Sequence, residues 1–241
     1  MPMVTWLTSI LFISTAFFHI TFAQSIRKDS TFLQEAKVHA IDLYSRNMRA
    51  QSHLFNGSEY IEYNSISGQH PYYEADWSDG VVFYDGELYE RTPLLFDLSL
   101  DKLITENSNG RPLQLISEKI KYFILNGHTF VYLPGSKIKE GFYDLLYNGK
   151  LKVYTRRKKS LQKKTSGSAL EMKFEETVRY YILKKENYIL IKKKKDIYSA
   201  LADHKIELKK FVNENHLWFK RNPEVALTRM AQFYDQISKE P

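Results

Sequence analysis

Residues Tyr72–Leu133 read YYEADWSDGVVFYDGELYERTPLLFDLSLDKLITENSNGRPLQLISEKIKYFILNGHTFVYL. Short apolar runs alternate there with the turn pairs Asp85-Gly86, Asn109-Gly110 and Asn126-Gly127. β-branched and aromatic runs punctuated in this way are strands joined by tight hairpins. The pattern continues downstream. Phe142–Tyr147 and Leu151–Arg156 flank Asn148-Gly149, which reads as a type I′ turn with positive φ at both residues. Lys158–Ser168, KKSLQKKTSGS, reads as a polar, basic loop, with a strand resuming at Glu171–Glu175. Val178–Leu183 and Tyr188–Lys192 flank a last turn at Lys185-Glu186-Asn187. There is no βαβ alternation, which argues against a doubly wound or (β/α)8 layout. The expected fold is mainly β with helical additions: an antiparallel meander over 57–195 curled into an open barrel or a sandwich.

Helical patterns bracket this region. Over 24–56, Leu33, Ala36, Ala40, Leu43 and Tyr44 recur at helical spacing, with Asp29 or Ser30 as cap and Asn56-Gly57 as stop. Over 196–241 the period is helical again. Leu208, Phe211 and Val212 share one face. Asn222 precedes Pro223 and Glu224 as an N-cap, and Ala226, Met230, Phe233, Tyr234 and Ile237 follow as one stripe. These C-terminal helices are expected to cover an open face or edge of the sheet.

Met1–Ala23 carries no Asp, Glu, Lys or Arg and ends in Thr21-Phe22-Ala23. That is the pattern of a secretory signal peptide cleaved between Ala23 and Gln24, placing the protein in the periplasm or outer envelope. An uncleaved anchor is the alternative, because the apolar run is nearly long enough to span a bilayer. The chain of 241 residues contains no cysteine, which excludes disulfides, thiol catalysis and Cys-ligated zinc. Its net charge of +7 is divided unevenly. Lys150–Arg221 holds 21 basic and 8 acidic residues, a net +13, whereas Asp29–Gly149 holds 10 and 17, a net −7. Charge of this kind governs solubility and non-specific association before it governs function.

Three phrases, Gly80-Val81-Val82-Phe83-Tyr84-Asp85-Gly86, Pro93–Leu98 and Gly141–Gly149, together with the ending Lys209-Lys210-Phe211 through Tyr234-Asp235, resemble a family of uncharacterised exported proteins of Bacteroidota-type bacteria. The resemblance spans most of the mature chain. It implies an envelope location and a sheet with a helical tail, and it brings no catalytic residues.

Candidate chemistry is sparse. No G-x-S-x-G elbow, HExxH or glycine-rich phosphate loop occurs. Asp76, Asp79 and Asp85 offer carboxylate oxygens but lack the dense alternation of a calcium loop. His70 and His128 are acid–base candidates beside Asp76 or Asp79. No metal site and no cofactor are assigned. Tyr72, Tyr73, Trp77 and Tyr84 are the candidate stacking platform for a sugar or apolar ligand, with core packing as the competing role. Arg156, Arg157, Lys158, Lys159 and Lys192–Lys195 are the candidate contacts to an anionic surface. In an exported protein the matching partner is an anionic glycolipid or envelope polymer rather than nucleic acid. Strand counting places these two basic runs at opposite ends of the sheet. The preferred reading is a non-enzymatic envelope protein that binds or scaffolds through the β domain. The alternatives are a carrier or sensor of an apolar ligand held inside the sheet, and a hydrolase using the Asp76–Asp79 loop.

Overall fold

The structure, a computed structural model, describes residues 34–37, 39, 54, 56–62, 69–166 and 169–238, with backbone alone at 164–166 and 169–171. The chain divides into two units, Met1–Arg49 and Ala50–Pro241. In the first, residues 34–37 and 39 are helical and exposed. The expected signal segment 1–23 and the rest of the expected N-terminal helix lie outside the described residues, apart from Leu54, which is buried.

The second unit is built on one open sheet of eleven described strands, antiparallel throughout. They are β1 (Gly57–Glu59), β2 (Ser78–Tyr84), β3 (Glu87–Asp97), β4 (Lys102–Glu106), β5 (Pro112–Leu115), β6 (Ile120–Leu125), β7 (His128–Leu133), β8 (Gly141–Asn148), β9 (Lys152–Ser166), β10 (Ala169–Lys184) and β11 (Asn187–Ile191). The spatial order is β1-β5-β4-β3-β2-β6-β7-β8-β9-β10-β11. One meander runs outward from β2 to β5. The chain then returns to the free edge of β2 and a second meander runs from β6 to β11.

That return bends the sheet. In a flat sheet β6 would lie four strand spacings from β5, about 19 Å. The link Ile116–Lys119 is a short 3-10 turn, and even a fully extended chain of this length reaches only about 17 Å. Ring contacts show the same curvature. Phe96 on β3 lies 5.1 Å from Phe123 on β6, 5.1 Å from Phe130 on β7 and 5.7 Å from Phe142 on β8, four strands away in the sheet. Edge-to-face rings at these separations fill the concave side.

A second core lies under the helices α1 (Lys194–Ala200), α2 (Lys205–Glu214) and α3 (Pro223–Ile237). Leu151, Val153, Ile182 and Ile191 of the sheet meet Ile197, Leu208, Leu227 and Met230 of the helices. As the sequence implied, Asn222 accepts a hydrogen bond from the Val225 N–H at 3.3 Å and Pro223 opens α3. Phe211 of α2 stacks on Phe233 of α3 with centroids 4.2 Å apart. Asp235, on the buried stripe, accepts from the Tyr147 hydroxyl (3.0 Å), the Lys150 N–H (2.6 Å) and the Leu151 N–H (3.2 Å). One carboxylate thereby fastens α3 to the β8–β9 link. No helix among the described residues is long and apolar enough to cross a membrane.

Two local expectations are corrected. Asp85-Gly86 and Asn126-Gly127 do take positive φ, and so does Lys185-Glu186, which carries no glycine. Asn148-Gly149 does not; its link closes through the Gly149 N–H donating to the Leu151 carbonyl at 2.8 Å. The segment 158–166, read as loop, is strand. It continues β9 and pairs in unbroken register with β10, Lys159 opposite Glu176 and Leu161 opposite Phe174. The polar composition concealed a strand whose partners complement it in charge and apolarity.

Candidate functional site

β11 pairs with β10 only over Tyr180–Lys184 and ends at Ile191. Beyond that point no described strand pairs with the outer edge of β10, and the Phe174 N–H further along it donates to the Gln69 side chain at 2.7 Å. The chain leaves through Lys192–Lys195 and turns into α1. Asp196 anchors the turn, accepting from the N–H groups of Lys192 (2.9 Å) and Lys193 (3.0 Å). Desolvation works against its charge, yet these donors and the flanking lysines hold its carboxyl below the usual range. Lys192, Lys193 and Lys195 are therefore exposed around a fixed turn.

The facing wall is the link between α2 and α3. The Leu217 N–H donates to the Val212 carbonyl, and the Arg221 and Asn222 N–H groups both donate to the Trp218 carbonyl. This tight turn leaves the Trp218 indole 68% exposed. Between the walls lies a groove of about 1210 Å³. Val178, Tyr180 and Ile191 form its floor, and Phe219 meets Tyr180 at 6.4 Å. Its charged lining is Arg179, Lys192–Lys195 and Lys220, with no carboxylate. An apolar floor within a wholly cationic rim suits a molecule that is apolar along its body and negative at one end.

The two basic runs lie at one level of the sheet, not at opposite ends. Glu171–Glu175 and Val178–Leu183 belong to the single strand β10, so β9 and β11 run in the same direction. Thr155, Tyr180 and Ile191 stand in one row, and Arg156 and Lys192 each follow that row, two strand spacings apart, about 10 Å. Strand alternation also divides Arg156–Lys159 between two faces. Arg156 is buried and uses all four terminal N–H groups on protein: Asp101 (2.9 Å), the Lys139 (2.8 Å) and Glu140 (2.7 Å) carbonyls, and the Tyr143 hydroxyl (2.9 Å). Arg157 is paired with Glu224 and, at 3.7 Å, with Glu176. Lys159 donates to the Tyr72 carbonyl at 2.6 Å. Lys158 alone of the four is exposed and makes no ion pair among the described residues. Of the eight basic candidates, Lys158 and Lys192–Lys195 thus retain charge for an outside partner.

The four aromatic candidates do not share a face. Tyr84 is fully buried, its hydroxyl donating to the Asn56 carbonyl at 2.7 Å. Tyr72 is buried with Tyr60, Leu95 and Ile104, and Trp77 packs half-buried against that cluster. Tyr73 packs edge-on to Phe130 (5.2 Å) and His128 (5.7 Å), with the Arg157 guanidinium 6.0 Å from its ring centre. All four rings contribute to packing.

The carboxylate partner of His128 among the described residues is Asp144, not Asp76 or Asp79. The His128 Nδ1 is 2.7 Å from Asp144, which is buried and whose carboxyl is pushed up by burial, opposed by His128. No hydroxyl is hydrogen-bonded to this imidazole among the described residues. His70 stacks on Tyr72 at 6.0 Å, with its Nδ1 buried and unpartnered and its pKa lowered by burial and by Lys159. Asp76 and Asp79 are exposed, and Asp85 pairs with Lys119 at 2.7 Å.

Trp218, Phe219, Val178 and Tyr180 were not singled out from sequence. The signal was present: Leu217-Trp218-Phe219 is an apolar triplet in a polar link between two helices, where burial inside either helix face is unavailable. Comparison with protein-family models, with curated proteins and with solved structures finds no match to this chain.

Proposed function

We propose that this protein is an exported, non-catalytic binding module of the cell envelope, and that it holds an anionic amphiphile in the groove between the β10 edge and the α2–α3 link. The observation that carries this reading is the combination of an apolar floor with a rim of six cations and no carboxylate. The apolar body lies on Val178, Tyr180, Trp218 and Phe219, where each Å² removed from water is worth about 25 cal/mol. The head lies among the lysines, whose carbon stems extend the apolar surface. The ligand sits outside the concave side of the sheet, because that space is filled by phenylalanine rings. The contacts of Phe96 across four strands support an open barrel as the form of the scaffold. The anionic polymer reading uses the same lysines but leaves the apolar floor without a role.

Trp218 is its own reporter. Titration with dodecanoate should shift tryptophan emission to the blue. Dodecyl maltoside and dodecyltrimethylammonium, with equal chains and no negative charge, should bind at least about tenfold more weakly. Trp218→Ala should weaken dodecanoate binding, read by calorimetry, by about tenfold. Equal binding of all three amphiphiles, or an unchanged affinity in Trp218→Ala, would overturn the groove reading. Export rests on the run Met1–Ala23, and its test is the intact mass of protein recovered from the envelope. The mature chain is expected to begin at Gln24, and a chain that still begins at Met1 contradicts it.

A further inference from the structure

The opposite face of β10 carries a second, smaller feature. Side chains alternate along a strand, so Val178 and Tyr180 look into the groove while Thr177, Arg179 and Tyr181 leave from the opposite face, Thr177 and Arg179 bordering both hollows at the strand edge. There Arg179 stands opposite Arg156 and Thr177 opposite Lys158 in the β9–β10 register. With Lys139, from the loop before β8, and Ser160 they enclose a pocket of about 140 Å³. That is room for a few waters or one compact polyatomic ion.

The chemistry of this pocket is one-sided. Its charged lining is four cations with no carboxylate. Arg156 is satisfied by protein, as described above, and acts as a fixed wall. Lys139, Lys158 and Arg179 are exposed and make no ion pair among the described residues. The hydroxyls add donors: Ser160 accepts from Gln162 at 3.1 Å and keeps its own proton to give. The Tyr181 ring is held edge-on to Tyr143 at 5.7 Å, and neither its hydroxyl nor that of Thr177 is bound elsewhere among the described residues. Three unpaired cations around one small hollow repel each other when it is empty, and three hydroxyls stand beside them as donors. They match a group with several acceptor oxygens and more than one negative charge.

The pocket and the groove are not separate. Thr177 and Arg179 line both. At this level no described strand pairs with the outer edge of β10, because β11 has ended opposite Tyr180. A chain can therefore pass over the bare strand edge from one face to the other. We propose that a phosphoryl head group, unlike the singly charged head held by the groove lysines, passes over the β10 edge into the small pocket, while the groove keeps the hydrocarbon attached to it. This rests on the groove reading for the hydrocarbon and adds the chemical class of the head. A phosphate monoester carries about −1.5 to −2 at neutral pH, against −1 for a carboxylate, and presents three oxygens to the three cations.

The test uses the mature protein and three probes at physiological salt, followed by calorimetry: dodecyl phosphate, dodecanoate and inorganic phosphate. Dodecyl phosphate should bind at least about tenfold more tightly than dodecanoate at pH 8. Dodecyl phosphate should itself bind more weakly at pH 5 than at pH 8, because it takes up its second proton with a pKa of about 6. Lys139→Gln and Lys158→Gln touch the small pocket only. Each should weaken dodecyl phosphate about tenfold and leave dodecanoate unchanged, with the melting curve intact because both lysines are exposed. Trp218→Ala should weaken both amphiphiles. Equal affinity for the two amphiphiles, or a phosphate preference that survives both lysine substitutions, overturns the subsite while leaving the groove standing. Inorganic phosphate binding as tightly as dodecyl phosphate overturns the link between pocket and groove and makes free phosphate the ligand. If no amphiphile binds, the groove reading fails. Phosphate binding lost in Lys158→Gln would then still support the subsite, and no phosphate binding at all would overturn it.

Discussion

Gly149→Val is expected to lower the stability of the protein by about 3–5 kcal/mol, seen as an earlier midpoint in urea. The reason is not backbone conformation, since Gly149 does not take positive φ. A Cβ at this position would run into the Asp235 carboxylate and would lie 2.5 Å from the Tyr147 hydroxyl. Tyr147 can move its flexible end. Asp235 cannot move without giving up its hydrogen bonds to Tyr147, Lys150 and Leu151, the set that fastens α3 to the sheet. Hydrogen bonds to a charged group are worth about 1.5–3 kcal/mol each, and overpacking adds about 1–3. A double-mutant cycle separates the two causes. In an Asp235→Ala background the cost of Gly149→Ala should fall by at least about 1 kcal/mol, because the carboxylate it meets is gone. Strictly additive costs would return the explanation to turn conformation and refute this one.

The same residue shows why the fold was legible at the level of hairpins and not of their chemistry. Asn-Gly between two apolar runs does mark a reversal, and β8 and β9 pair across it. Whether the glycine serves φ or close approach depends on Asp235, 86 positions further on in the sequence. A local pattern carries no information about that carboxylate. Lys185-Glu186 fails in the other direction. It takes positive φ at both residues without glycine, because the five β10–β11 pairs that flank it set the geometry that turn propensity alone would not. The long β9 was missed for a third reason. Lysine-rich sequence reads as loop, and only its register against β10 shows that the acidic and apolar positions of 172–176 answer it.

The site was half legible. Lys192–Lys195 was visible as a charge run, and its place on a rim follows from the end of β11. The apolar half of the groove joins β10 to the α2–α3 link, about 40 residues away, so no window of sequence contains it. Arg156–Lys159 misled in the opposite sense. Four consecutive cations look like one patch, yet on a strand two face each way. Burial then assigns Arg156, Arg157 and Lys159 to internal partners and leaves Lys158 outside.

Arg156 therefore supports the second large expectation. Arg156→Met should cost about 3–5 kcal/mol, the usual result of removing one member of a buried ion pair. Its guanidinium lies 2.9 Å from Asp101 and 5.0 Å from the centre of the Tyr143 ring. Methionine keeps the apolar stem but leaves Asp101, two carbonyls and the Tyr143 hydroxyl without their donor. Burial already pushes the Asp101 carboxyl up, with Arg156 opposing. Without Arg156 the folded-state pKa rises further above the unfolded value. A carboxyl shifted that way binds more protons folded than unfolded, so its contribution to stability falls as pH rises through the folded pKa. The variant should accordingly be less damaged at pH 5 than at pH 8, and Asp101→Asn added to Arg156→Met should recover part of the loss at pH 8. Gly141 stands beside the pair, where a Cβ would meet Asp101 and Arg156 Nη2. A melting curve for Arg156→Met that matches the parent at both pH values would place this arginine outside the structural framework and return it to the surface role that its sequence neighbours suggested.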